Sequence, residues 1–131
     1  MDEHPNAALI RDLFAAFADA DLATIERTIP PEAVWRFPGR SGALAGEHRG
    51  REAILAFLAR VVELTGGSFG LDLIDVVAND ARAVALFRGH GTRGGKTLDN
   101  PTCLVMRLDD GRVVELDEFV WDLYHVDDFW A

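Results

Sequence analysis

The stretch TLDNPTCLVMRLDDGRVVELDEFV, residues 97–120, decides the fold. Apolar residues alternate with others through Leu104, Met106 and Leu108, stop at Asp109-Asp110-Gly111, and resume through Val114, Leu116 and Val120. Period-two alternation on both sides of a short glycine-containing turn is the pattern of an antiparallel hairpin. Upstream, Ala83 to Thr92 reads as a strand joined to Thr97–Leu108 by Gly94-Gly95, and Phe69 to Val77 as another joined across Asn79-Asp80. The last strand runs from Val113 to about Tyr124. Turns this short join only antiparallel neighbours, so the second half of the chain is expected to be a four-stranded meander.

The first half reads as helix. Asn6 is placed to cap a helix carrying Leu9, Ile10, Leu13, Phe14 and Phe17 at three- and four-residue spacing. Asp21 is placed to cap a second, with Leu22, Ile25 and Ile29, which Pro30-Pro31 ends. A short extended piece, Val34-Trp35-Arg36-Phe37, closes at Pro38-Gly39, and Arg40 to Gly50 is expected to be loop. A third helix spans about Arg51 to Leu64, with Ile54, Phe57, Leu58 and Val61 on its apolar stripe and Gly66-Gly67 after its end. Helices followed by strands predict an α+β domain whose helices cover one face of the sheet.

Register then separates the two faces. Pairing across Gly94-Gly95 sets 90 opposite 99 and 87 opposite 102. At Asp109-Asp110-Gly111 a two-residue turn pairs 106 with 115, whereas a three-residue turn with a bulge pairs 106 with 114. The bulged register gathers Ala85, Phe87, Thr102, Leu104, Met106, Leu108, Val114, Leu116, Glu118 and Val120 on one face. The other register mixes Glu115 and Asp117 into that apolar set, so the bulged one is expected. Glu118 is then the one charged side chain facing inward. A carboxyl on an apolar face has a raised pKa and can exchange protons near neutrality, which makes Glu118 the candidate catalytic residue. The plainer alternative is that it reaches solvent at the strand's end or pairs with an arginine.

Trp35 and Phe37 point the same way from one strand. With Phe14, Phe17, Phe57, Phe87 and Met106 they form ordinary core or, at the mouth of a cone, the lining of a ligand cavity. Val61, Leu104, Leu116 and Val120 complete that candidate substrate-binding set. The ending Asp122 to Trp130 is unusually aromatic, and Phe129 and Trp130 are expected to pack on the cone or on a second subunit.

Composition bounds the rest. The 131 residues suit a single domain, 1–131, and 49% hydrophobic content supplies its core. The net charge of −9 argues against nucleic acid, and no apolar run is long enough to span a membrane. The lone Cys103 fits a reducing cytoplasm, and the acidic Met-Asp-Glu-His-Pro start does not read as a signal peptide. His4, His48, His90 and His125 lack metal-ligand spacing, so neither metal nor cofactor is expected. His90 opposite Asp99 reads as an exposed ion pair rather than a catalytic couple. Gly94-Gly95-Lys96-Thr97 reads as a hairpin, because His90 stands where a phosphate loop needs glycine.

The order helix, helix, strand, helix, meander resembles the NTF2-like superfamily, and within it the SnoaL-like family. The resemblance rests on Asn6-x-x-Leu9-Ile10-Arg11-x-x-Phe14-x-x-Phe17, Val34-x-x-Phe37-Pro38-Gly39, Gly46-x-x-x-Gly50-Arg51-x-x-Ile54-x-x-Phe57 and Asp110-Gly111-Arg112-Val113. It implies a cone of helices packed on a curved, mainly antiparallel sheet, and a homodimer. Relatives include ketosteroid isomerases, epoxide hydrolases and polyketide cyclases as well as non-enzymatic domains. The ketosteroid isomerase base, oxyanion-binding acid and tyrosine fall at or near Phe37, Leu104 and Leu13, all apolar here, so that machinery is not expected. The polyketide cyclases' single acid in an apolar pocket matches Glu118 by face and neighbourhood. The resulting expectation is a small hydrophobic ligand with isomerase- or cyclase-type acid/base chemistry. Its rival is a non-catalytic binding or dimerisation module.

Overall fold

The computed structural model describes residues 3–131. Its elements are α1 (Pro5–Asp19), α2 (Leu22–Thr28), β1 (Val34–Phe37), β2 (Gly46–Arg49), α3 (Arg51–Leu64), β3 (Gly70–Ala78), β4 (Arg82–Arg93), β5 (Lys96–Asp109), β6 (Arg112–Val120) and α4 (Leu123–Trp130). The six strands form one open sheet in the order β2-β1-β6-β5-β4-β3. The expected meander is β3 to β6; β1 joins it in parallel beside β6, and β2 pairs antiparallel on β1. Helix α1 packs on β3 and β4, α3 on β1 and β2, and α4 on β5.

Four readings of the sequence need correction. Helix α1 starts at Pro5, which needs no N–H partner, so His4 is the cap and its Nδ1 accepts from the Asn6 amide at 3.0 Å. The Asn6 side chain instead donates to the carbonyl of Asn79, tying the helix start to the β3–β4 turn. Within the expected loop, Glu47-His48-Arg49 runs as the edge strand β2 after Gly46, between positive-φ glycines 46 and 50. Its charged residues suit an edge and hide the usual alternation. The last strand ends at Val120 rather than near Tyr124. Asp122 then caps α4, accepting from the His125 amide at 3.1 Å.

The fourth correction concerns the β5–β6 turn. Both Asp110 and Gly111 have positive φ (51° and 72°), the signature of a two-residue type I′ turn. Leu108 accordingly pairs with Val113, as that turn demands. One step further Arg107 pairs with Glu115, so Val114 is an extra residue, a bulge inside β6. Beyond it Met106 faces Leu116 and Leu104 faces Glu118. The turn thus follows the register set aside above, while the bulge restores the inward set that burial requires. Val113, not Val114, fills the inward place: Val113 is fully buried and Val114 is half-buried.

The inner face is closed by α4, whose C-terminal half is held by two sets of contacts. Asp127 Oδ1 accepts from the amides of Arg40 and Ser41 at 2.9 and 2.8 Å. Arg93 and Lys96, paired across the Gly94-Gly95 hairpin, donate to the carbonyls of Phe129, Ala131 and Asp128. Cations at a helix C-terminus satisfy its free carbonyls and oppose its dipole. No described helix is long and apolar enough to cross a membrane.

The bulge predicts unequal costs for neighbouring valines. Val113→Ala is expected to destabilise the fold by about 2 kcal/mol and Val114→Ala by less than about 1 kcal/mol, read from urea denaturation midpoints. Equal costs would show that the extra residue lies elsewhere.

Candidate functional site

Helices α1, α2 and α3 and the inner face of the sheet enclose a cavity of about 580 Å³. Phe14 and Phe17 of α1, Trp35 and Phe37 of β1, Phe57 and Val61 of α3, Phe87 of β4 and Leu104 of β5 line it together with Glu118 of β6. The rings touch in series: Phe87–Phe14 at 5.4 Å, Phe14–Phe17 at 5.7 Å, Phe17–Trp35 at 6.0 Å, Trp35–Phe57 at 5.3 Å and Phe57–Phe37 at 5.5 Å between centroids. Such tilted contacts hold each ring in place and leave space on the side away from its neighbours. Of the remaining candidates, Met106 and Leu116 are fully buried core beneath the cavity, and Val120 packs against that core outside the lining.

Glu118 is the charged side chain among the described residues that line the cavity. The parallel pairing of β1 with β6 sets Trp35 beside Leu116, and from there the indole reaches one step along the strand. Its Nε1–H donates to Glu118 Oε1 at 2.9 Å. Among the described residues no arginine or lysine pairs with this carboxyl; Arg36, on the outer face, is engaged by Glu115 and Asp117 at 3.1 and 2.9 Å. Glu118 is half-buried as a residue because the cavity reaches it, yet its carboxyl is surrounded by protein. Burial therefore pushes its pKa up from 4.5 to about 7, and the indole hydrogen bond, which favours the ionised form, offsets only part of that.

Leu98, Asn100 and His48 are not among the candidates read from the sequence, and Trp130 is expected there only to pack on the cone or on a second subunit. Leu98 and Asn100 share the inward parity of Thr102 and Leu104 on β5, and both line the cavity. Trp130 lines it from α4, so the aromatic end of the chain packs on the cone itself. His48 of β2 stacks on Phe57 with centroids 4.4 Å apart and its Nε2 lies 2.7 Å from the Leu44 carbonyl. Alternation along β5 was the signal for Asn100; nothing local in residues 46–49 signalled His48. His90 and Asp99 are opposite each other, but Asp99 pairs with Arg88 at 3.2 Å and His90 lies 3.7 Å from Asp72. The expected pair is therefore not formed: Asp99 is engaged by Arg88, and all four side chains are exposed.

The profile of the SnoaL-like domain matches residues 10–116. This chain belongs to the SnoaL-like family. Uncharacterized proteins of Mycobacterium tuberculosis and Mycobacterium bovis are 33% identical to it over 132 residues, the full length of both chains. Bal32a, from a soil-derived mobile gene cassette, is 40% identical with a TM-score of 0.91 over 96% of each chain. IdmH of Streptomyces antibioticus, a candidate polyketide cyclase, is 23% identical with a TM-score of 0.75 over 94% of this chain and 96% of its own. That likeness establishes a common fold, the NTF2-like architecture.

The raised pKa makes stability depend on pH. Between about 4.5 and 7 the folded chain keeps the Glu118 proton that the unfolded chain has released, so its contribution falls as pH rises through that window and is flat above it. The loss amounts to roughly 3 kcal/mol at most. Glu118→Gln keeps a neutral acceptor for Trp35 and removes the titration. Its melting temperature is expected to match the wild type at about pH 5 and to exceed it by several degrees at about pH 8. A constant difference across that range would show that the carboxyl titrates normally.

Proposed function

We propose that the SnoaL-like chain binds a small, largely hydrophobic molecule in its cavity and that Glu118 moves a proton on it. One observation carries the reading: a single carboxyl, half ionised near neutrality, faces an apolar hollow and is oriented by one indole N–H. As carboxylate, Glu118 takes the proton from the carbon beside a carbonyl and leaves an enolate. As neutral acid it returns that proton to another carbon of the conjugated system, which is an isomerisation. Alternatively the enolate carbon attacks a second carbonyl of the same molecule and the resulting alkoxide takes the proton, which closes a ring. The fold shared with IdmH supports the second course. The net charge of −9 favours neutral substrates over anions.

The same reading takes residues 1–131 as one functional unit acting in the cytoplasm, where a lone thiol stays reduced. It takes that unit as a homodimer. On the sheet's outer face Phe119, Cys103 and Leu86 lie in register across three strands, Ile74 sits in the β3 bulge beside Asp75, the partner of Leu86, and Val105, Val84 and Val77 form the next row. Phe119 is 59% exposed, Ile74 66% and Val77 54%. An apolar strip of this extent on an otherwise charged surface suits a second copy of the chain. Phe119→Asp is expected to convert a dimer to a monomer in sedimentation velocity without altering the far-ultraviolet circular dichroism; a wild type that sediments as a monomer would sink the assembly.

The chemical claim is tested with neutral carbonyl compounds selected by thermal shift. Wild-type protein is expected to exchange the proton beside the carbonyl for deuterium, followed by NMR. Glu118→Gln should lower that rate by about 100- to 10,000-fold while the ligand still raises the melting temperature. Binding without exchange in the wild type would leave a carrier or sensor. Undiminished exchange in the variant would remove Glu118 from the chemistry.

A further inference from the structure

Two polar atoms among the described residues are buried with no hydrogen-bond partner, Asn100 Oδ1 and Trp130 Nε1. One is an acceptor and the other a donor. Both residues line the cavity, and both are more than nine-tenths buried, Asn100 at 6% and Trp130 at 3% exposure. Phe69 links the two. A Cβ on Gly89 would stand 3.9 Å from Asn100 Cβ and 3.6 Å from the Phe69 ring, and the Phe69 ring lies 6.4 Å from that of Trp130. Orphaned buried groups are costly, and two lining an otherwise apolar cavity call for an explanation.

Asn100 is distant from Glu118. Leu104 faces Glu118 across the sheet, and Asn100 lies four residues away on the same strand, about 13 Å along it. We propose that Asn100 and Trp130 form a second polar station that receives a ligand hydroxyl at the end of the cavity remote from Glu118. A hydroxyl can answer either orphan once that side chain turns its polar atom toward the cavity, donating to Asn100 Oδ1 or accepting from Trp130 Nε1–H. Turning the amide about its soft terminal torsion opens the acceptor to it. The inference rests on the cavity being a ligand site and narrows its occupant to an elongated, largely hydrophobic molecule oxygenated at both ends.

Phe69 lies over the strand at Gly89 and Gly91: a Cβ at either position would be in ordinary van der Waals contact with it, at 3.6 Å from its ring and 3.4 Å from its Cα. Neither glycine carries an αL backbone.

The test uses anthraflavic acid, three fused rings with a phenol at each end, and unsubstituted anthraquinone, in mildly acidic buffer where the phenols stay neutral. Titration calorimetry on the wild type is compared with Asn100→Leu, close in shape, and with Trp130→Phe. Each variant is expected to bind anthraflavic acid about 10-fold more weakly and anthraquinone within about 2-fold of the wild type. Asn100→Leu should also melt no lower than the wild type, because it removes an unsatisfied buried group. Equal losses for both quinones, equal binding of anthraflavic acid throughout, or a clearly lower melting point for Asn100→Leu would overturn the station and leave the cavity reading standing. Failure of both quinones to bind the wild type would remove the cavity reading and the station with it.

Discussion

Everything on β6 depends on the direction its side chains face, and one extra residue sets that direction. Asp110-Gly111 demands a two-residue turn, since both central positions take positive φ. Carried on unchanged, that turn would direct Glu115 and Asp117 into the core and Leu116 to solvent. The bulge at Val114 resolves the conflict within one residue pair. Glu115 and Asp117 then meet Arg36 and Arg107 outside, Leu116 is buried, and Glu118 looks inward.

An inward carboxyl without a cation is unfavourable for the fold, and the arrangement around Glu118 limits that cost without removing it. Trp35 supplies one N–H, too little to hold the acid in its ordinary range. An arginine in the indole's place would pull the pKa down and leave an inert carboxylate. The ring series from Phe87 to Phe37 keeps the surroundings apolar and rigid, so that the carboxyl's environment does not collapse to fill the cavity. A site of this kind trades some stability for a proton that can leave and return at neutral pH.

Much of this was legible in the sequence because period and turn chemistry act locally. The strands β3 to β6, helices α1 to α3 and the inward face of Glu118 all follow from spacing and from short turns rich in Gly, Asn and Asp. What escaped had non-local causes. Strand β2 has no alternation and exists because β1 offers it hydrogen bonds. The position of the bulge arises from two demands that each fix a different part of the hairpin, so neither alone reveals it. Helix α4 was hidden because Trp121 to Tyr124 reads equally as the end of a strand. Its cap, Asp122, and the cations at Arg93 and Lys96 settle the matter only once the hairpin tip is next to it.

The indole of Trp35 does more than orient its neighbour. An excited indole has a large dipole whose energy follows nearby charge, and here its N–H touches a group that gains a full negative charge around neutrality. Trp121 is immersed in water and the Trp130 nitrogen has no partner, so neither is tied to a titrating acid through its nitrogen. The protein thus carries its own optical gauge: the colour and yield of Trp35 emission report the protonation of Glu118, and what a bound molecule does to it, without any label.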